Sequence, residues 1–177
     1  MEKYKASTED AKVIGAALKP YEMSSMRHRF ESILKKYGLT EIDEEKWYPQ
    51  QLTLDVQKDI KGSADGGNML ISIGVKIIEA AKFPPMETLE QALGAFASSY
   101  PMNFRDQAEE DIIVAEQIDD QHIRVINRSP HSDEMIYGYV YAMVKRFAPE
   151  GTFPAVEFED YSKIDSDGDT AINVTWE

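Results

Sequence analysis

A chain of 177 residues with 42% hydrophobic and 29% charged side chains has the length and balance of about one folded domain with a buried core. Its net charge of −13 repels a nucleic-acid phosphate backbone or an anionic lipid surface, so neither is expected as a partner. With no cysteine there are no disulfides, no thiolate metal ligands and no cysteine nucleophile.

Residues 1–10 are polar, lack the apolar segment of a signal peptide and are expected to be flexible. Residues 11–18 suit either a short strand or a helical turn, and Pro20 punctuates the chain just after them. From Glu22 to Tyr37 an amphipathic helix is predicted, with Met23, Met26, Phe30, Ile33, Leu34 and Tyr37 on one face and Gly38 as its stop. A second helix over 50–61 comes after Trp47-Tyr48-Pro49, anchored by Leu52, Val56 and Ile60. The run 62–67 is a loop. A third helix carries Leu70, Ile73, Ile77, Ile78 and Ala81 inward until Phe83-Pro84-Pro85 breaks it, and a fourth spans Glu87 to Tyr100. The nearly apolar stretch Met69 to Ala81 contains Ser72 and Lys76 and is too short to cross a bilayer, so a cytoplasmic protein is expected.

The last third has the clearest periodicity. Isoleucine and valine alternate through 112–118 and 122–127, a helical stripe runs from Ile136 to Phe147, and alternation returns at Val156/Phe158 and Ile172/Val174/Trp176. Ser132 or Asp133 caps the helix, and Lys145 and Arg146 oppose its dipole at the other end. The fold class expected is α+β: an N-terminal layer of about four helices packed on an antiparallel sheet of ββαββ order, all in a single domain over 1–177.

No catalytic or metal constellation emerges. Asp165-x-Asp167-x-Asp169 has calcium-loop spacing at its start, but Thr170 stands where that loop needs glycine and Trp176 where it needs a bidentate glutamate. Ser129, His131, Ser132 and Asp133 supply triad residue types from one loop, whereas a working triad draws on distant segments, so helix capping explains them better. His28, His122 and His131 lie outside any metal-binding spacing and read as exposed or satisfied structural residues. Gly62, Gly66 and Gly67 lack the strand and fingerprint of a phosphate turn, and the acidic run Asp106 to Asp111 reads as a solvated connection.

Several motifs together resemble the superfamily that joins heme–nitric oxide binding domains with 4-vinyl reductase-like domains. They are Trp47-Tyr48-Pro49-x-x-Leu52, Ile73-Gly74, Phe83-Pro84-Pro85, Tyr100-x-x-Asn103, the hairpin ending at Asn127, Tyr137-Gly138 and Lys145-Arg146-Phe147-Ala148-Pro149, with the closing hairpin after them. The resemblance spans about Trp47 to Trp176 and implies a small-ligand binding or sensing module whose helical layer covers a sheet with the ligand between them. Heme-binding relatives carry an axial histidine on the helix before the sheet and a Tyr-x-Ser-x-Arg motif for the heme propionates. The helix Glu87 to Tyr100 has no histidine and that motif is absent. Vinyl-reductase-like relatives often carry cysteines near the last hairpin, and Tyr161 to Asp169 has none. No cofactor is therefore expected.

A non-enzymatic domain is expected, binding a small apolar molecule in a chamber of a few hundred Å3 between helices and sheet. Its wall is assigned to Trp47, Tyr48, Phe96, Tyr100, Phe104, Tyr137, Tyr141 and Met143, with Asn103 and Arg105 as polar orienters. The alternatives are a heme-based gas sensor using one of the three histidines, and an interaction module that forms a homodimer through apolar residues such as Ile42 and Leu54.

Overall fold

The computed structural model describes residues 1–177 and builds the expected ββαββ unit. Strands β4 (Ile113–Asp119) and β5 (His122–Asn127), helix α6 (Asp133–Phe147), and strands β6 (Ala155–Phe158) and β7 (Thr170–Thr175) succeed one another. The four strands form one antiparallel sheet in the order β4-β5-β7-β6. Alternation sets its two faces: Ile123, Val125, Ile172 and Val174 are buried, while Arg124 turns outward and pairs with Glu159 and Glu116. Helix α6 begins where Ser132 Oγ accepts a hydrogen bond from the Met135 amide at 3.4 Å.

The N-terminal half differs from expectation in three places. Residues 12–14 are strand β1 (Lys12–Ile14), which runs straight into helix α1 (Gly15–Met23), and Pro20 lies inside that helix. The helix predicted over Glu22 to Tyr37 is two: α1 ends and α2 (Arg27–Lys36) begins across Ser24, whose backbone is extended and whose Oγ accepts from the Met26 amide at 3.2 Å. Trp47-Tyr48-Pro49 is strand β2 (Trp47–Pro49), and with β3 (Phe104–Arg105) it flanks β1 in a second, three-stranded antiparallel sheet. Helices α3 (Gln50–Lys61), α4 (Gly66–Ala80) and α5 (Leu89–Ser99) stand where periodicity placed them.

The first ten residues, expected to be flexible, are tied down. Lys3 is 8% exposed, and its Nζ donates to Asp133 Oδ1 at 2.8 Å and to the carbonyls of Ser129 and His131. Asp133 also accepts from Asn127 Nδ2 at 2.7 Å, the Asp165 amide at 2.8 Å and the Thr170 hydroxyl. A buried charge survives only with such a full set of partners, which the N-terminal segment helps to supply. The acidic run 106–111 is likewise not all solvated: Asp111 is fully buried and accepts from Tyr100 Oη and Gln50 Nε2. Ile42 and Leu54, expected as leftover surface for a homodimer, are buried in the core.

Helices α4 and α6 cross in intimate contact because both crossing points are glycine. A Cβ on Gly74 would overlap the Met135 carbonyl, and one on Gly138 would overlap the Ile71 carbonyl. Gly94 on α5 faces open space. Gly138→Ala is expected to lower the unfolding free energy by about 1–3 kcal/mol through forced separation of the helices. Gly94→Ala should raise it by up to about 1 kcal/mol through helix propensity. Urea denaturation of both variants checks the pair, and equal effects would contradict the crossing geometry.

Candidate functional site

A chamber of about 110 Å3 lies inside the helical part of the protein. Its wall comes from α1 (Leu18, Tyr21), α3 (Thr53, Gln57), the end of α4 (Ile78), α5 (Phe96), the loop at His131 and α6 (Met135, Tyr139). Thirteen of the eighteen lining residues are hydrophobic, so water inside would find few partners. An engineered cavity of about 150 Å3 with a similarly apolar lining stays dry and binds benzene or xenon, which sets the scale of occupant.

Two expectations about this chamber are corrected. It is smaller than the few hundred Å3 of a drug-sized pocket. It also lies one layer away from its predicted place, because the four-stranded sheet contributes no lining residue. The β contribution is Val13 and Phe104 of the small sheet. Helix α6 separates chamber from large sheet, packing Val140, Met143 and Val144 into the core beneath it.

Of the residues assigned to the wall, Phe96, Tyr100 and Phe104 meet there, together with the expected orienter Asn103. The others have different duties. Trp47 lies under the Arg105 guanidinium at 3.8 Å on the small sheet, so Arg105 is stacked rather than free to hold a carboxylate. Tyr48 is buried, and its hydroxyl accepts from the Asp43 amide at 3.0 Å. Tyr137 and Tyr141 stack on the opposite side of α6, where the Tyr137 hydroxyl donates to the Val156 carbonyl and Tyr141 is exposed. Met143 is fully buried core.

The chemistry of the site comes from two residues outside that assignment, Gln57 and His131. Gln57 Oε1 accepts from the Ser132 backbone amide at 3.0 Å. That bond fixes the orientation of the carboxamide, so Nε2 is the donor toward both Tyr21 Oη (3.0 Å) and His131 Nδ1 (2.9 Å). Tyr21 passes its own proton toward Met135 Sδ at 3.4 Å. Since His131 Nδ1 accepts, the ring proton resides on Nε2. Nε2 is fully buried, is not reached by a water-sized group, and has no hydrogen-bond partner. The ring is held between Tyr100 and Phe104, with centroids 6.1 and 5.5 Å away.

Burial pulls the His131 pKa from 6.5 down to about 4, against the pull of Asp111 in the opposite direction, so the ring is neutral at physiological pH. The Tyr100 hydroxyl, buried beside Asp111, is pushed well above its ordinary range and keeps its proton. Neither His131 nor its loop neighbours form a nucleophile–base pair: the Asp133 carboxylate is engaged with Lys3, and Ser129 Oγ donates to Asn127 Oδ1 at 2.6 Å. His122 is satisfied by Asn173 at 2.9 Å, and His28 is exposed. The expectation of a satisfied histidine therefore fails at His131 alone.

These features give a pH dependence with a definite sign. In the unfolded chain His131 takes up a proton near pH 6.5, while in the fold it resists until about pH 4. Between these values the unfolded state binds more protons, so stability falls as pH is lowered from 6.5 to 4, and this group has no effect above that window. The slope approaches about 1.4 kcal/mol per pH unit. His131→Gln, which keeps an acceptor for Gln57, should lose that increment in denaturation curves compared across the window. An unchanged pH profile in the variant would contradict the assignment.

No protein-family model matches the chain, and no curated protein does. Solved structures do. One, described as giving structural insights into the molecular mechanism of H-NOX activation, superposes with a TM-score of 0.63 at 12% identity, covering 92% of this chain and 94% of its own. An oxygen-binding H-NOX domain related to soluble guanylate cyclases, in its oxygen complex, gives 0.60 at 12% identity over 92% of each chain. An H-NOX variant from T. tengcongensis gives 0.59 at 12% identity, covering 92% of this chain and 93% of its own. The architecture first suggested by the motifs between Trp47 and Trp176 thus extends over nearly the whole chain, and its fold is that of the heme–nitric oxide binding domains.

Proposed function

We propose that residues 1–177 act as one sensor-type domain that binds a small, neutral, largely apolar molecule in the helical chamber, without heme. The observation that carries this reading is a mostly apolar, partly open space at the junction of five helices. The H-NOX fold supports a binding and sensing role over catalysis, as does the lack of a paired acid and base around the chamber. The net charge of −13 argues against nucleic acid or an acidic membrane surface as partner, and no helix is long and apolar enough to cross a membrane.

The residues here do not fit heme. Helix α5 offers no histidine. His131 is the one histidine lining the chamber, and its Nε2 is fully buried and carries a proton where an iron ligand needs an accessible lone pair. The strand-to-helix loop reads Asn127-x-Ser129-x-His131. Ser129 Oγ donates to Asn127, Asn127 donates to Asp133, and the nearby cation, Lys3, is consumed by the same carboxylate. A chamber of about 110 Å3 is also far below what a macrocycle fills. The homodimer reading loses its support with the burial of Ile42 and Leu54.

Xenon suits a dry space of this size and is the direct probe. Titration of the purified chain monitored by xenon NMR should show saturable binding. Ala17→Leu, which points extra carbon into the wall, should abolish it while leaving the circular dichroism spectrum unchanged. A xenon response identical in the variant would overturn the chamber reading. Hemin added to the wild type should give no Soret band of a histidine-ligated species, and a stoichiometric band lost on replacing His131 would restore the gas-sensor alternative.

A further inference from the structure

We propose that the groove between helix α6 and the free edge of strand β6 docks an extended peptide of another protein, alternating basic and apolar residues, which joins the sheet as a fifth strand. This surface is separate from the chamber, and neither reading depends on the other.

Strand β6 ends the order β4-β5-β7-β6, so one of its edges has no strand beside it. The register fixes which groups point there. Phe153 and Glu159 donate their amides toward β7, to the carbonyls of Glu177 and Ala171. The two-residue alternation of an antiparallel ladder gives Ala155 and Glu157 the same direction, so the amide and carbonyl of Val156 point away from β7. The carbonyl accepts from Tyr137 Oη at 3.0 Å, and the amide is left without a partner. Pro154, the preceding residue of that edge, has no amide, so pairing stops there. A cleft of about 420 Å3 follows this edge. Its strand bank is the unbroken stretch Pro154 to Glu157, with residues from both faces of the sheet, which places it at the edge instead of over one face. Its helix bank is Tyr137, Tyr141, Val144 and Lys145.

An unpaired strand facing a helix across a groove is a form in which extended peptides are held: backbone bonds give affinity, and alternate side chains enter the groove. Side chains turned toward α6 meet Val144 and the rings of Tyr137 and Tyr141, stacked at 14° with centroids 6.4 Å apart. Those positions suit apolar residues, and Lys145 at the rim keeps cations away from them. Side chains turned the other way lie beside the exposed Glu157. Arg124, in the same row two strands over, is taken by Glu159 and Glu116, which leaves Glu157 open to a cation from outside. From Glu150 to Asp160 the chain has four carboxylates and no cation, within a net charge of −13, so a basic segment is attracted. A second copy pairing its own β6 would set these carboxylates against their equals, and an acidic segment would do the same.

Acetyl-Lys-Val-Lys-Val-Lys-amide is the probe, and its isomer acetyl-Lys-Lys-Lys-Val-Val-amide controls for charge alone. In NMR titrations of the full chain, the alternating peptide should bind more tightly than its isomer and slow hydrogen exchange at the Val156 amide. Val156→Pro, tolerated at an edge because that amide serves no ladder bond, should weaken the alternating peptide at least about tenfold. Glu157→Lys should weaken it about threefold to tenfold. Equal binding of the two isomers, no protection at Val156, or unchanged affinity in Val156→Pro overturns the proposal. Val156 protection that grows with protein concentration alone assigns the edge to a second copy and overturns it as well. If Val156→Pro does not fold, the isomer comparison and the wild-type Val156 amide decide alone.

Discussion

The carboxamide of Gln57 is the constraint on which the site depends. It is 1% exposed, and its atoms join three helices: Oε1 receives the Ser132 amide at the start of α6, and Nε2 serves Tyr21 of α1 and His131. Each bond limits the others. Because a backbone amide can only donate, Oε1 must face it. Nε2 must then face the imidazole, and the imidazole must carry its proton on its own Nε2. A buried polar network of this kind is either fully satisfied or costly, and here one member, the buried His131 Nε2–H, has no partner. The tautomer of one ring is thus set by helix capping at a neighbouring residue.

Two further devices keep that arrangement in place. The glycines at the α4–α6 crossing let the backbones approach closely enough for Met135 and Tyr139 to close the chamber from the α6 side. The carboxylate of Asp133 gathers Lys3, Asn127, Thr170 and the Asp165 amide, which fixes the loop carrying His131 to the N-terminal segment and to the sheet. The loop is therefore rigid because it sits between a helix start and a buried ion pair.

How much of this was legible in the sequence depended on whether the signal was local. The ββαββ unit and α6 were clear because alternation and helical spacing ran over whole elements, as in Ile123/Val125 and Ile136/Val140/Val144. The small sheet was not, because strands of two or three residues have no period to detect. The helices α1 and α2 shared one apolar face, and Ser24 is a weak break by composition. Within the site, Phe96, Tyr100, Asn103 and Phe104 were found because they cluster in one segment. His131 was set aside as structural because its meaning comes from Gln57, 74 residues away in the chain, and no pattern links the two. Aromatic richness misled at Trp47, Tyr137 and Tyr141, whose rings stack outside this chamber, the two tyrosines beside a separate cleft next to β6. The H-NOX resemblance located the fold correctly.

The tautomer of one ring follows from the whole Gln57 network, and long-range proton–nitrogen NMR of the uniformly labelled protein reads it directly. His131 should show an unprotonated Nδ1 and a protonated Nε2 at neutral pH, and should keep that pattern on acidification until about pH 4. A proton on Nδ1, or an imidazolium already present near pH 6.5, would contradict it.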